Sequence, residues 1–279
     1  MLTDILMVTY NRPAYTRLSL ARLLETADEH TRIWLWQNGS DAETLEVVKS
    51  LAVHPKVRAF HHSEENVDLD KATNWFWANA DGEFLGKVDD DCVMPHGWIQ
   101  TLRTAHNDEP RFGPISCWHY FDDDLVPGLY EKRIQEFAGG HKVMRNCWIG
   151  GTGYIMKRDC VDRFGPLNEA RGWTNYCLKL SRAGWVLGWY WPLISQDHMD
   201  DPRSPNTGVR TDEELAERMP RMARGYGVRT VDDWIAWLKR DARKIQESSL
   251  DPRDYSGWRR KMHKARRKIA RRRSGGNGA

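Results

Sequence analysis

Apolar and polar positions in the first ninety residues alternate between two patterns. Four short, largely apolar runs have the length of strands: Ile5–Val8, Ile33–Trp36, Val57–Phe60 and Phe84–Val88. Between them lie stretches with helical spacing. Pro13 opens one, with Leu18, Leu20, Ala21, Leu23 and Leu24 apolar. Ser40 or Asp41 is placed to cap the next, with Leu45, Val48 and Leu51 on its apolar side. A third covers Asp70–Asn79, with Ala72, Trp75, Phe76 and Asn79 near one face. This alternation predicts an α/β fold: a mostly parallel sheet flanked by helices. Ligands of such sheets bind beyond the carboxyl ends of the strands. The segments Thr9–Arg12, Asn38–Ser40, His61–Asn66 and Asp89–Asp91 fall on that edge.

Residues 113–192 are less regular and rich in Trp and Gly. They predict strands at Ile115–Tyr120, Gly153–Met156 and Trp185–Trp191, and a helix near Cys177–Ala183. Asp197–Gly208 carries Pro202 and Pro205 and reads as a surface loop. Thr211 with Glu214 signals a capped helix. Another helix begins at Thr230, with Val231, Trp234, Ile235, Leu238, Ala242 and Ile245 at helical spacing. The expected organisation is one α/β domain over 1–200, with the regular alternation in 1–110 and the less regular part in 111–200. A C-terminal helical extension (201–255) and a basic tail (256–279) follow.

Composition narrows the function classes. The chain has 279 residues, 40% of them hydrophobic and 29% charged, as in a folded globular protein. No apolar run approaches the ~20 residues of a membrane span. The start, Met1-Leu2-Thr3-Asp4, lacks a signal peptide's basic opening, so a cytoplasmic location is expected. Five scattered cysteines without a C-x-x-C pair argue against a disulfide framework or cysteine zinc site.

The net charge of +3 hides a division. Residues 256–279 hold ten Lys or Arg and no acid, which leaves 32 basic against 39 acidic residues in 1–255, a net of −7. The tail admits three readings. With Trp258, Met262, Ala265 and Ile269 on one side of a helix, it could lie on an anionic membrane. It could contact nucleic acid phosphates, or remain a solvated appendage.

The candidate chemistry begins at Asp89-Asp90-Asp91, on the end of the fourth strand. Three adjacent carboxylates repel one another unless a cation or other partners offset the charge. Such oxygen ligands suit Mg²⁺ or Mn²⁺ on a diphosphate, and a solvated acidic turn is the plainer alternative.

Four segments in order resemble the GT-A-fold glycosyltransferases, in particular glycosyltransferase family 2, over about residues 4–190. They are Val8-Thr9-Tyr10-Asn11-Arg12-Pro13, Asn38-Gly39-Ser40-Asp41, the spaced Asn66…Ala72…Asn74, and Asp89-Asp90-Asp91 followed by Met94-Pro95-His96-Gly97-Trp98. The resemblance implies a metal-dependent transferase with a nucleotide-diphosphate sugar donor. It implies a nucleotide site of Thr9, Asn11, Arg12, Asn38, Asn74, Asp89 and Asp90, and a D-x-D metal site of Asp89 and Asp91 for Mn²⁺ or Mg²⁺. Lys71 could add positive charge there, or be a surface lysine. A histidine beyond the core completes the metal site in several GT-A enzymes, and His198 has that place in the order.

The departures are specific. Gln37 replaces the usual Asp before Asn-Gly-Ser, Asp68 the usual Gly, and Thr73 the usual Arg. Gly150–Arg158 and Phe164–Glu169 resemble the acceptor-side segments, but Gly172-Trp173-Thr174-Asn175 stands where the acidic catalytic pair is usual. Glu169, Asp197, Asp200 and Asp201 are the alternative base candidates, and the stereochemical outcome stays open. Pro202–Gly208 could act as a lid over the donor. Trp34, Trp36, Trp75 and Trp77 read as core. Trp118, Trp148 and Trp173 are core or stacking platforms. The acceptor could be a cell-envelope glycan, a lipid-linked molecule, or a modified nucleic acid or protein. A nucleotidyltransferase and an inactive sugar- or nucleic-acid-binding protein are the competing readings.

Overall fold

The structure, a computed structural model, describes residues 1–218 and 221–260. The expected alternation is present: β1 (Thr3–Thr9), α1 (Pro13–Thr26), β2 (Thr31–Asn38), α2 (Ala42–Ala52), β3 (Val57–Ser63), α3 (Leu69–Asn79) and β4 (Phe84–Asp89). β5 (Cys92–Val93), α4 (Trp98–Asp108) and β6 (Phe112–Ser116) follow. Next come β7 (Ile134–Glu136), β8 (Lys142–Asn146), β9 (Tyr154–Lys157), α5 (Asp159–Phe164) and α6 (Gly172–Arg182). β10 (Val186–Trp191), β11 (Asp197–His198), α7 (Asp212–Arg218), α8 (Arg221–Arg224) and α9 (Val231–Gln246) complete the elements used below.

Among the described residues the strands form a nine-stranded sheet, in the order β3-β2-β1-β4-β9-β6-β10-β8-β7, and a ribbon of β5 and β11. β3, β2, β1 and β4 are mutually parallel. β9 runs antiparallel between β4 and β6, and β8 and β7 close the far edge antiparallel.

Every residue of β1 is buried, because successive side chains point to opposite faces and helices cover both. Ile5 and Met7 enter a core with Leu20, Leu23, Trp98 and Leu102 from α1 and α4. Leu6 and Val8 enter the other core with Phe76, Trp77, Leu180 and Trp234 from α3, α6 and α9. Pro13 occupies the first turn of α1, where its missing N–H costs nothing. Asp41 caps α2 by accepting from the Thr44 amide at 2.8 Å.

The C-terminal segment packs onto this frame. Leu215, Trp234, Leu238, Ala242 and Ile245 share the core that contains Trp118, Tyr120 and Met144. α9 opens with a Thr230–Asp233 capping box. Tyr120 donates to Asp241 at 2.7 Å, and Gln246 donates to the Asp124 carbonyl at 2.9 Å.

Several expectations need correction. The strand expected over Ile115–Tyr120 lies at Phe112–Ser116. Beyond it the chain leaves the sheet, and the Trp118 amide bonds the Ile194 carbonyl at 2.8 Å. α6 begins at Gly172 instead of near Cys177, since its first turn is polar and partly exposed. α4, β7 and β8 were not anticipated. Asp197–Gly208 is not a free surface loop: Asp201 and Ser204 are buried. Arg203 donates to both oxygens of buried Asp124 at 2.7–2.8 Å and to Asp201 at 2.7–3.0 Å. Opening Pro202–Gly208 as a lid would break this buried, paired network. The tail helix proposed through Met262, Ala265 and Ile269 lies outside the described residues. No helix among the described residues is long and apolar enough to cross a membrane.

Candidate active site at the carboxyl edge of the parallel strands

β1 and β4 are neighbours, with Val8 opposite Asp89. The β1–α1 turn and the three aspartates therefore leave the sheet side by side. β5 continues from the aspartates and pairs with β11, His198 opposite Cys92. The Met199 amide bonds the Asp91 carbonyl at 2.8 Å. Sheet pairing thus delivers three pieces of chain, about 10–12, 89–91 and 197–200, to one point.

Arg12 lies at their centre. Its guanidinium donates to Asp90 Oδ1 at 2.7 Å, Asp91 Oδ2 at 3.1 Å and Asp200 Oδ2 at 2.9 Å. His198 Nε2 lies 3.9 Å from Asp91 Oδ2. One ligand atom each from Asp91, His198 and Asp200 falls within 4.8 Å of the others. Two carboxylate oxygens and an imidazole nitrogen form a donor set that suits Mn²⁺. His198 Nδ1 is buried without a hydrogen-bond partner.

Burial raises the Asp90 carboxyl to about 6, even though Arg12 opposes the shift. Burial also acts to raise Asp91, but Arg12 and His198 outweigh it and hold that carboxyl well below the ordinary range. Burial and the Asp91 charge raise Asp200. Burial disfavours the Arg12 cation, yet Asp90, Asp91 and Asp200 together hold its pKa above the ordinary value. Asp90, only 3% exposed, shapes the turn, because its Oδ2 accepts from the Tyr10 amide at 2.9 Å and from Thr16 at 3.3 Å.

The remaining candidates are distributed around this centre. Asp89 stands apart from the trio: Lys87 Nζ donates to it and to the Gly151 carbonyl, and its own amide donates to Thr152. Asp200, a base candidate in the sequence, stands in the trio instead. Asp197 accepts from Asn206 at 2.8 Å. Glu169 is exposed and close enough to Asp70 to raise its carboxyl, although burial and Asp68 act on Asp70 more strongly and Lys87 opposes them.

Thr9 is buried and donates to Gln37 Oε1 at 2.5 Å. Asn38 and Asn74 use their amides as clamps, Asn38 on Asn66 and Val67, and Asn74 on both polar backbone groups of Leu167. Lys71 is exposed on α3. Asn11 adopts a left-handed backbone, φ 49°, and lines a hollow of about 330 Å³ with Tyr10, Gly39, Asp41, Glu64 and Asn66. Trp118 is fully buried. Trp173 stacks on Tyr154 at 4.5 Å and donates to the Ile149 and Gly150 carbonyls.

Sequence reasoning missed three supports. The Tyr15 hydroxyl donates to the Met199 carbonyl at 2.8 Å and accepts from the Gly208 amide at 2.7 Å. The Trp234 indole donates to the Asp200 carbonyl at 2.7 Å. His119 lies edge-on to His198, with 5.9 Å between ring centroids, and burial, aided by His198, lowers its pKa to about 3.

Residues 4–163, more than half of the chain, match the family model described as Glycosyl transferase family 2. The chain belongs to glycosyl transferase family 2. Solved structures agree on the GT-A fold. The mannosyltransferase PcManGT of Pyrobaculum calidifontis, in complex with GDP-Man and Mn²⁺, aligns with a TM-score of 0.58 at 15% identity, over 90% of this chain and 76% of that one. Staphylococcus aureus TarS aligns with a TM-score of 0.52 at 14% identity, over 80% of this chain and 44% of TarS. Its 1–349 form aligns at 0.53 and 15%, over 81% and 73%. No curated protein matches by sequence.

Proposed function

We propose that this family 2 transferase moves a sugar from a nucleotide-diphosphate sugar to a hydroxyl-bearing acceptor. The reading rests on one observation: one ligand atom each of Asp91, His198 and Asp200 lies within 4.8 Å of the others, with Arg12 bonded to both carboxylates. A PcManGT complex containing GDP-Man and Mn²⁺ supports the donor class and the ion class.

Asp91, His198 and Asp200 would hold Mn²⁺ or Mg²⁺, which would supply charge stabilisation for a diphosphate leaving group. The chain's own residues supply the rest. Asp90 keeps the β1–α1 turn closed and tethers Arg12. With Nη2 bonded to Asp90 and Asp91 and Nη1 to Asp200, Arg12 keeps Nε–H and one Nη1–H for single charge-assisted bonds to phosphate oxygens. Lys87 holds the carboxylate of Asp89 beside the Gly151 carbonyl. Glu169 and the neighbouring Asp70 accept the acceptor's proton. Burial, with the charges of Asp68 and Glu169, raises the Asp70 carboxyl against the opposing charge of Lys87, which suits a proton acceptor.

The test is donor hydrolysis with Mn²⁺ across commercial nucleotide sugars. One donor should turn over, and Asp91→Ala should lower that turnover by roughly 10²-fold or more, the scale of losing one transition-state charge contact. Wild-type protein that turns over no donor contradicts the reading.

A further inference from the structure

We infer that the hollow lined by Tyr10, Asn11, Asp41, Glu64 and Asn66 selects guanine, so that the donor is a guanosine-diphosphate sugar. This rests on the nucleotide-sugar reading above. The hollow opens between the β1–α1 turn, the start of α2 and the chain after β3. Its two charged lining residues, Asp41 and Glu64, are both carboxylates, and no Lys or Arg among the described residues lines it.

The hydrogen-bond network decides what else faces a ligand there. Gln37 is committed elsewhere: its Oε1 accepts from Thr9 at 2.5 Å, and its Nε2 donates to the Gly39 carbonyl at 3.3 Å. Asn38 Oδ1 accepts from the Val67 amide at 2.8 Å, which leaves its Nδ2 to donate to Asn66 Oδ1 at 2.7 Å. Asn66 must therefore present its oxygen to Asn38, and its NH₂ is the end left for a ligand. Asp41 uses Oδ2 to accept from the Thr44 amide and hydroxyl, which leaves Oδ1. Glu64 is exposed on the rim. Tyr10 packs its ring over Gly39, so closely that a Cβ at that position would lie 3.0 Å from it. Tyr10 is 40% exposed as a residue, and its ring offers a face for stacking a base.

Carboxylate acceptors beside one amide donor complement a single base edge. Guanine presents N1–H and the N2 amino group side by side, with the O6 acceptor next to them. A carboxylate can take both N–H groups at once. Uracil presents one N–H between two carbonyl oxygens. Adenine and cytosine place a ring-nitrogen acceptor beside their amino group, and a carboxylate repels it. Where family 2 relatives usually carry Asp, this chain has Gln37, and Asp41 and Glu64 supply the acidic function from the next turn and the opposite rim.

Calorimetric titration of the full chain with GDP, IDP, UDP, CDP and ADP, each with Mn²⁺, tests the inference. GDP should bind at least ~10-fold tighter than UDP, CDP or ADP, the scale of one charge-assisted pair. IDP, which lacks the N2 amino group, should bind roughly 10-fold more weakly than GDP. Glu64→Gln or Asp41→Asn should close the GDP–IDP gap. Asn still caps α2, and thermal melts verify folding. Tighter binding of UDP, CDP or ADP than of GDP overturns the guanine assignment and leaves the transferase reading standing. So does equal binding of GDP and IDP, or a gap that survives both substitutions. Failure of every diphosphate to bind overturns the nucleotide-sugar reading beneath it.

Discussion

The indole nitrogen of Trp234 donates to the backbone carbonyl of Asp200 at 2.7 Å. A helix from the C-terminal segment thereby holds one member of the Asp91–His198–Asp200 cluster. Trp234→Phe keeps an aromatic ring in the core and removes the hydrogen bond. The loss should cost about 1 kcal/mol of stability and weaken Mn²⁺ binding several-fold. Chemical unfolding and an Mn²⁺ titration of the same variant check both. Unchanged Mn²⁺ affinity would show that the contact supports the fold alone.

Arg12 engages Asp91 and Asp200 through the same carboxylate groups that face His198. The guanidinium and a divalent cation therefore compete for them. Arg12→Ala should tighten Mn²⁺ binding in the absence of nucleotide by roughly 10-fold, because three crowded carboxylates lose their compensating charge. The variant should also lose about 2 kcal/mol of stability, less than a fully buried pair because the side chain is a third exposed. Nucleoside diphosphate affinity should fall by about 10-fold or more, the scale of a charged hydrogen bond. Weaker Mn²⁺ binding in Arg12→Ala contradicts the competition.

His106 is 1% exposed, and its Nε2 faces the Ile155 carbonyl at 2.9 Å. Burial, reinforced by Lys157, lowers its pKa to about 3, against an ordinary value near 6.5. Between those pH values the unfolded chain binds the proton and the native chain does not. Stability therefore rises with pH through this window, and lowering the pH from 7 to 5 should remove about 2 kcal/mol through this one group. His106→Gln keeps a donor for Ile155 and does not titrate. Its urea-unfolding free energy should lose about 2 kcal/mol less than that of the wild type over the same interval. Parallel pH profiles for the two proteins would contradict the assignment.

The parallel half of the fold was legible because buried parallel strands are continuous apolar runs, as in Ile5–Val8 and Ile33–Trp36. The antiparallel half was not. β8, KVMRN, pairs on both sides yet mixes charged and apolar residues, and β7 is three residues long. The segment 197–208 misled because its polarity implies solvent, whereas Arg203, Asp201 and Asp124 satisfy one another in the interior. Asp91 and His198 were visible as motif residues. The association of Asp200 with them was not, since it depends on the register of a two-residue ribbon. Nothing in the local sequence around Trp234 marks its bond to a residue 34 positions away.

The most direct test of the cation cluster is an Mn²⁺ titration of the wild type beside Asp91→Asn, His198→Ala and Asp200→Asn. Calorimetry or electron paramagnetic resonance provides the readout. The cluster predicts one Mn²⁺ site per chain in the wild type and at least ~10-fold weaker binding in each variant, as a lost ligand costs more than ~1.4 kcal/mol. Wild-type affinity for Mn²⁺ in all three variants would contradict it.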